Sequence, residues 1–223
     1  MEEYYLGLLR HDNPQHPIVS FAFLGGGEDH LAFVVNGDWI FRFARDVAAC
    51  RETTRDEAAL LTFLHDRSLL PVPLPVYRNE AHSYLSYQQL AGVPLLGVRE
   101  QFDVQDWSTF PQAIGAFLTA IHATPLHLVE AFIYEDPIAL ADWLEEAQTT
   151  FAEARGVIPP SLWPRIEGFL SAPIPSDIYT PALMHNDLGI EHILVEPASR
   201  RITGIIDWGD AAIADPAYDF GKL

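Results

Sequence analysis

His185-Asn186-Asp187-Leu188-Gly189-Ile190-Glu191-His192-Ile193-Leu194-Val195, followed after a short interval by Ile205-Ile206-Asp207-Trp208-Gly209-Asp210, is the stretch whose reading decides the fold. An apolar run at Ile193 to Val195 follows one polar cluster. A second apolar run, Ile202, Gly204, Ile205 and Ile206, ends in another acid. Between them, Glu196-Pro197-Ala198-Ser199-Arg200-Arg201 has the composition of a turn. The simplest geometry is a β-hairpin that brings Asp187, His192 and Asp207 to one end. Two carboxylates and a further ligand at one point equip a chain for Mg²⁺-assisted phosphoryl transfer. An acid accepts or orients the acceptor hydroxyl proton, a metal ligand stands five residues on, and a second acid one strand later bridges the metal to the phosphates.

Upstream, Phe21 to Leu24 reads as a strand and Gly25-Gly26-Gly27-Glu28-Asp29-His30 as a flexible loop. Two β-rich runs, Leu31 to Val35 and Trp39 to Phe43, flank Asn36-Gly37, the strongest short hairpin signal because both residues accept positive φ. A helix is expected over Thr54 to Asp66. The prolines at 71, 73 and 75 break its pattern, and Ser83 to Tyr87 reads as another strand. Leu90-Ala91-Gly92-Val93-Pro94 marks the change from strand-rich to helix-rich sequence, so the lobes are placed at 1–90 and 91–223. Helices follow: one capped by Ser108 and carrying Ile114, Phe117, Leu118 and Ile121 on one face, one opening at Pro137 and running from Ala139 to Ala154, and one over Pro160 to Leu170. The expected class is α+β, an antiparallel sheet with one helix joined to a mainly helical half that carries the hairpin.

The bulk numbers exclude several classes. Half of the 223 residues are hydrophobic, enough for a sizeable core. Cys50 is the single cysteine, so no intramolecular disulfide forms, and a reducing compartment is expected. A net charge of −18 argues against nucleic acid as the main partner and suits a cationic small molecule. Met1-Glu2-Glu3 has neither a basic nor an apolar leader and no window approaches a membrane span, so a cytoplasmic, membrane-free protein is expected.

His185-x-Asp187, Asp207-Trp208-Gly209-Asp210 and Asp215-Pro216-Ala217-Tyr218-Asp219 resemble the aminoglycoside phosphotransferase family, antibiotic kinases with the bilobal protein-kinase-like fold. Its aminoglycoside 2″-phosphotransferase and macrolide phosphotransferase branches look nearest. The likeness extends through Gly25-Gly26-Gly27, the Asn36-Gly37 hairpin, the strand holding Arg42 and the helix holding Glu57. It implies a kinase for a small-molecule hydroxyl, with Asp187 as the catalytic acid and Asp207 and His192 on Mg²⁺. Gly25, Gly26, Gly27, Arg42, Glu57, Gln88 and Leu90 would hold ATP or GTP, the last two at a hinge that reads the base through its backbone. The resemblance also implies further helices beyond Leu223, so a shortened C-terminal lobe is expected.

Two positions depart from the family pattern. His192 stands where Asn is usual, and imidazole is a softer ligand than Mg²⁺ prefers. Arg42 stands where a Lys pairs with the helix acid, with Arg45 as a second candidate; Arg binds phosphate through a fork rather than a point. Glu57 can instead close a capping box, Thr54-Arg55-Asp56-Glu57. His185 reads as a scaffold of the loop, and Asp210, Asp215 and Asp219 as structural acids. Two other readings remain open: a nucleotide-binding module without turnover, and a metal hydrolase using His185, Asp187 and His192.

Overall fold

The computed structural model describes residues 1–27, 30–47, 51–136, 140–174 and 179–223. It opens with a helix, α1 (Glu2–Asp12), then β1 (Phe21–Gly26), β2 (His30–Val35), β3 (Trp39–Ala44), α2 (Arg51–His65), β4 (Pro75–Asn79) and β5 (Tyr84–Gln88). These strands form one antiparallel sheet in the order β1-β2-β3-β5-β4. Asn36 and Gly37 sit at φ 54° and 85° in the β2–β3 turn, the conformation their side chains permit.

The alternation of side chains gives the sheet two apolar faces. On one, Leu9 and Tyr5 of α1 pack on Phe33, Phe41, Phe43 and Tyr84. The Tyr5 ring lies 4.7 Å from that of Phe43. On the other, Ile40, Leu85 and Tyr87 are buried together. The amphipathic stripe of α1 is too short to stand out in the sequence; the helix is stabilised by Glu2 and Glu3 in its first turn and Arg10 and His11 in its last.

Three expected boundaries move. The strand β1 runs through Gly26, so Gly25 and Gly26 are strand residues opposite Ala32 and Leu31, after a bulge past Phe23. A Cβ at Gly26 would come within 2.7 Å of Leu31 Cδ2 and 3.1 Å of the His30 carbonyl, so a larger residue there would displace the Leu31 side chain. Of the expected loop, Gly27 remains, and Glu28 and Asp29 lie outside the described residues. The helix α2 starts at Arg51, which puts Thr54 inside it rather than at its cap.

The second half begins with β6 (Val93–Pro94) and a long helix, α3 (Val104–His122), which starts before Ser108. Next come α4 (Leu140–Ala154) and α5 (Trp163–Leu170); Pro137 lies outside the described residues. The chain then forms β7 (Ala182–Met184), β8 (Ile193–Glu196), β9 (Arg201–Ile205), β10 (Ala212–Ala214) and a 3₁₀ turn at Pro216–Phe220. The expected hairpin is β8–β9, extended by β6 into a three-stranded sheet, while β7 pairs with β10. The largest core joins Leu60, Leu61 and Leu64 of α2 to Phe117 and Leu118 of α3 and to Ile193, Ile205 and Trp208. The helix that carries Glu57 is therefore fixed to the half that carries the hairpin.

Candidate active site

The turn that presents Asp187 is built from buried polar contacts. The Asp219 carboxylate, fully buried, accepts from the backbone N–H of His185 at 3.2 Å and of Asn186 at 2.8 Å. His122 Nε2 lies 2.8 Å from the same carboxylate, which ties α3 to the turn. His185 is also buried. Its Nε2–H donates to the Ile206 carbonyl at 3.0 Å, and its Nδ1 accepts from the Asp187 N–H at 3.3 Å. Burial lowers the proton affinity of the imidazole, against the pull of that carbonyl. With both nitrogens engaged by backbone, His185 is a scaffold with no lone pair for a metal, and the hydrolase arrangement loses a ligand.

Around this scaffold, Asn186 and Asp207 both take φ 67°, an uncommon conformation for residues with a Cβ. His192 Nδ1–H donates to the Asp187 carbonyl at 2.7 Å, and its Nε2 lies 3.5 Å from Asp207 Oδ2. A cation held between these two atoms would need the Nε2 lone pair and the carboxylate oxygen together. Among the described residues no cluster of three His, Cys, Asp or Glu side chains forms a ready-made metal cage. Of the two, the Asp207 carboxylate is the oxygen donor that Mg²⁺ takes beside its own waters and phosphate oxygens, while the His192 imidazole is a softer ligand than it prefers.

Arg42 spans the cleft. Its Nη1 donates to Glu57 Oε1 and its Nη2 to Asp207 Oδ1 at 2.8 Å. The ion pair, not the capping box, is where Glu57 goes. Burial disfavours the guanidinium charge, but the Glu57 and Asp207 carboxylates outweigh it and hold Arg42 firmly protonated. Burial likewise raises the proton affinity of Asp207, and Arg42 and then His192 reverse it, keeping the carboxyl below its ordinary value.

These residues line one cleft of about 970 Å³. Gly25, Gly26 and Gly27 form one wall, Arg42 and Glu57 the back, and Asp187, His192 and Asp207 the floor. Gln88 and Leu90 are not among its lining residues: Gln88 pairs with Trp39 at the end of β5, and Leu90 packs over Gly204. Arg45 does not line it either; its Nε donates to the Gly27 carbonyl at 2.8 Å and braces the glycine turn. Asp215 caps the 3₁₀ turn through the Ala217 N–H.

His30, Tyr134, Asp210 and Lys222 bring further polar groups to the lining, beside Ala32, Thr53 and Gly209. The sequence reading makes Asp210 a structural acid and puts His30 at the end of the glycine loop, while Tyr134 and Lys222 carry no motif. Tyr134 reaches the cleft because its carbonyl accepts from the Ile213 N–H and Glu135 bridges to Ile213. Lys222 donates to Asp187 Oδ1. The one available signal for Lys222 is that it is the single lysine in the sequence.

A Gly-walled cleft with an acid on a His-x-Asp turn, a second acid after a hairpin and a basic–acidic pair behind them is the arrangement of a kinase-like fold. A sequence model of the phosphotransferase enzyme family matches residues 20–223, and the chain belongs to that family. The uncharacterized protein YcbJ of Bacillus subtilis (strain 168) is 27% identical over 198 residues, which are 82% of this chain and 61% of that protein. The chain thus spans about three fifths of the length of that curated relative. The GDP complex of wild-type aminoglycoside 2'-phosphotransferase-IIIa superposes with a TM-score of 0.82 at 26% identity, covering 98% of this chain and 76% of the other. Macrolide 2'-phosphotransferase MphH from Brachybacterium faecium shares the fold, with a TM-score of 0.64 at 22% identity over 95% and 74% of the two chains. The fold is therefore the bilobal α+β fold of the antibiotic kinases.

Proposed function

We propose that the chain transfers the γ-phosphoryl group of ATP or GTP to a hydroxyl of a small molecule, an aminoglycoside before a macrolide or a metabolite alcohol. The observation that carries this reading is the convergence of Asp187, His192, Asp207 and the Arg42–Glu57 pair in one glycine-walled cleft. Similar structures bound GDP, and in one case kanamycin, which supports a nucleotide donor and an aminoglycoside acceptor. The net charge of −18 favours a cationic acceptor further. Residues 1–90 supply the nucleotide side of the cleft and 91–223 the acid and metal side.

In this reading Asp187 takes or orients the acceptor hydroxyl proton, and Arg42, held in a fork by Glu57, faces the donor phosphates. Asp207, with His192 beside it, would hold Mg²⁺, which would supply charge neutralisation for the transferred phosphoryl group. The buried Asp219 and His185 keep the Asp187 turn in place without touching the reactants.

The test is a transfer assay with ATP and GTP separately, Mg²⁺, and panels of aminoglycosides and macrolides. Wild-type protein is expected to phosphorylate one member, and Asp187→Asn to lose about 10³-fold or more in kcat with an unchanged melting temperature. The engagement of Asp207 by Arg42 favours one competing outcome, a nucleotide-binding protein with little turnover. Nucleotide binding without product in either protein would establish it and sink the kinase.

A further inference from the structure

Lys222 is the only lysine among 223 residues, against twelve arginines, and it lies in the cleft on Asp187 Oδ1. Elsewhere the sequence meets its need for a cation with arginine, including at Arg42. Among the described lining residues, Arg42 and Lys222 are the two permanently cationic side chains, facing the carboxylates of Glu57, Asp187, Asp207 and Asp210. Arg42 is largely buried, with two of its arms on carboxylates. Lys222 differs: its side chain is 58% exposed, and an ammonium has three donors, of which Asp187 Oδ1 takes one. That contact favours the charged amine. A triphosphate entering this acidic cleft therefore meets one cation already committed to the protein and one at the acceptor end with donors to give.

We propose that Lys222 is a further catalytic residue of the transfer site, its ammonium bridging Asp187 and the γ-phosphoryl oxygens of the donor. The inference rests on the phosphotransfer reading above. In the transfer step, the bond from the acceptor oxygen to the γ-phosphorus forms as the bond from that phosphorus to the β,γ-bridging oxygen breaks. The electron pair leaves with the nucleoside diphosphate, the hydroxyl proton goes to Asp187, and Lys222 keeps all its protons. Its two roles are to hold the carboxylate beside the reacting oxygen and to offset the negative charge on the oxygens of the moving phosphoryl group. Because only a triphosphate reaches it, Lys222 also distinguishes donor from product.

The experiment compares wild type, Lys222→Met and Lys222→Arg. Each is titrated with Mg²⁺ and either the non-hydrolysable imido analogue of ATP or GTP or the matching diphosphate, and each is assayed for transfer. Lys222→Met is expected to lose about tenfold of the preference for triphosphate over diphosphate, and to keep its diphosphate affinity. Its kcat is expected to fall about 10²-fold with little change in acceptor KM, and Lys222→Arg to recover part of it. Reductive ¹³C-methylation gives a second readout, since Lys222 and the α-amino group are its only aliphatic amine targets. The Lys222 signal is expected to move with the triphosphate analogue and not with diphosphate. An unchanged preference and kcat in Lys222→Met, or an equal loss for both nucleotides, would overturn the proposal. Wild-type protein that binds neither nucleotide would overturn the kinase reading itself, and the inference with it.

Discussion

Arg42 shows how one substitution of chemistry reshapes a site. A lysine is a compact point charge on a flexible stem, whereas the planar guanidinium fork engages Glu57 and Asp207 together in fixed directions. The pair is deep: the Glu57 side chain is 4% exposed. Arg42→Met would strand that carboxylate, at a cost of about 3–5 kcal/mol, whereas the double variant Arg42→Met/Glu57→Leu should recover most of it. Urea unfolding of the three proteins checks this; equal losses in single and double variants would show that the arginine acts by packing alone. His185 gives a pH signature. Its folded-state proton affinity is lowered by burial from an ordinary value of 6.5, so the unfolded chain binds the extra proton. Stability should thus be fully present above about 6.5 and decline as pH falls below it. Between pH 7.5 and 5.5, His185→Gln should show a smaller decline than wild type in the same unfolding experiment.

The elements that aim these side chains are held by backbone geometry that tolerates few alternatives. Gly92, at φ 100°, lets the chain pass between the two halves beside β8 and β9. A Cβ there would lie 2.3 Å from Thr203 Oγ1 and 2.6 Å from the Val195 carbonyl. Gly92→Ala should therefore cost about 1–3 kcal/mol and disturb the hairpin that ends in Asp207. Thermal unfolding measures the first effect and nucleotide affinity the second; a neutral substitution would mean that the β6 strand is not needed to seat the hairpin. Pairing of β7 with β10 matters similarly, since β7 leads straight into His185. Both strands are three residues long, too short to be legible as strands from periodicity.

Across the molecule, the two walls of the cleft come from opposite ends of the chain, so a ligand that bridges them stabilises the whole fold. A nucleotide and Mg²⁺ at about 100 times Kd should add about 2.7 kcal/mol. Asp207→Asn should retain the nucleotide effect in part and lose its dependence on Mg²⁺, as read by melting with and without the metal. No described helix is long and apolar enough to cross a membrane. Much of this arrangement was readable beforehand. The Asn36-Gly37 turn, the hairpin after His192 and the His-x-Asp cluster are local, because turn chemistry and two-residue alternation depend only on neighbours in the chain. What could not be read was non-local. The Asn186 and Asp207 backbones, the fork of Arg42 between α2 and the hairpin, Tyr134 swung in by a bridge to Ile213, and Lys222 on Asp187 all depend on contacts between residues far apart in sequence. Local pattern thus announced the fold and the acids of the cleft, while packing of distant segments decided which charges face them.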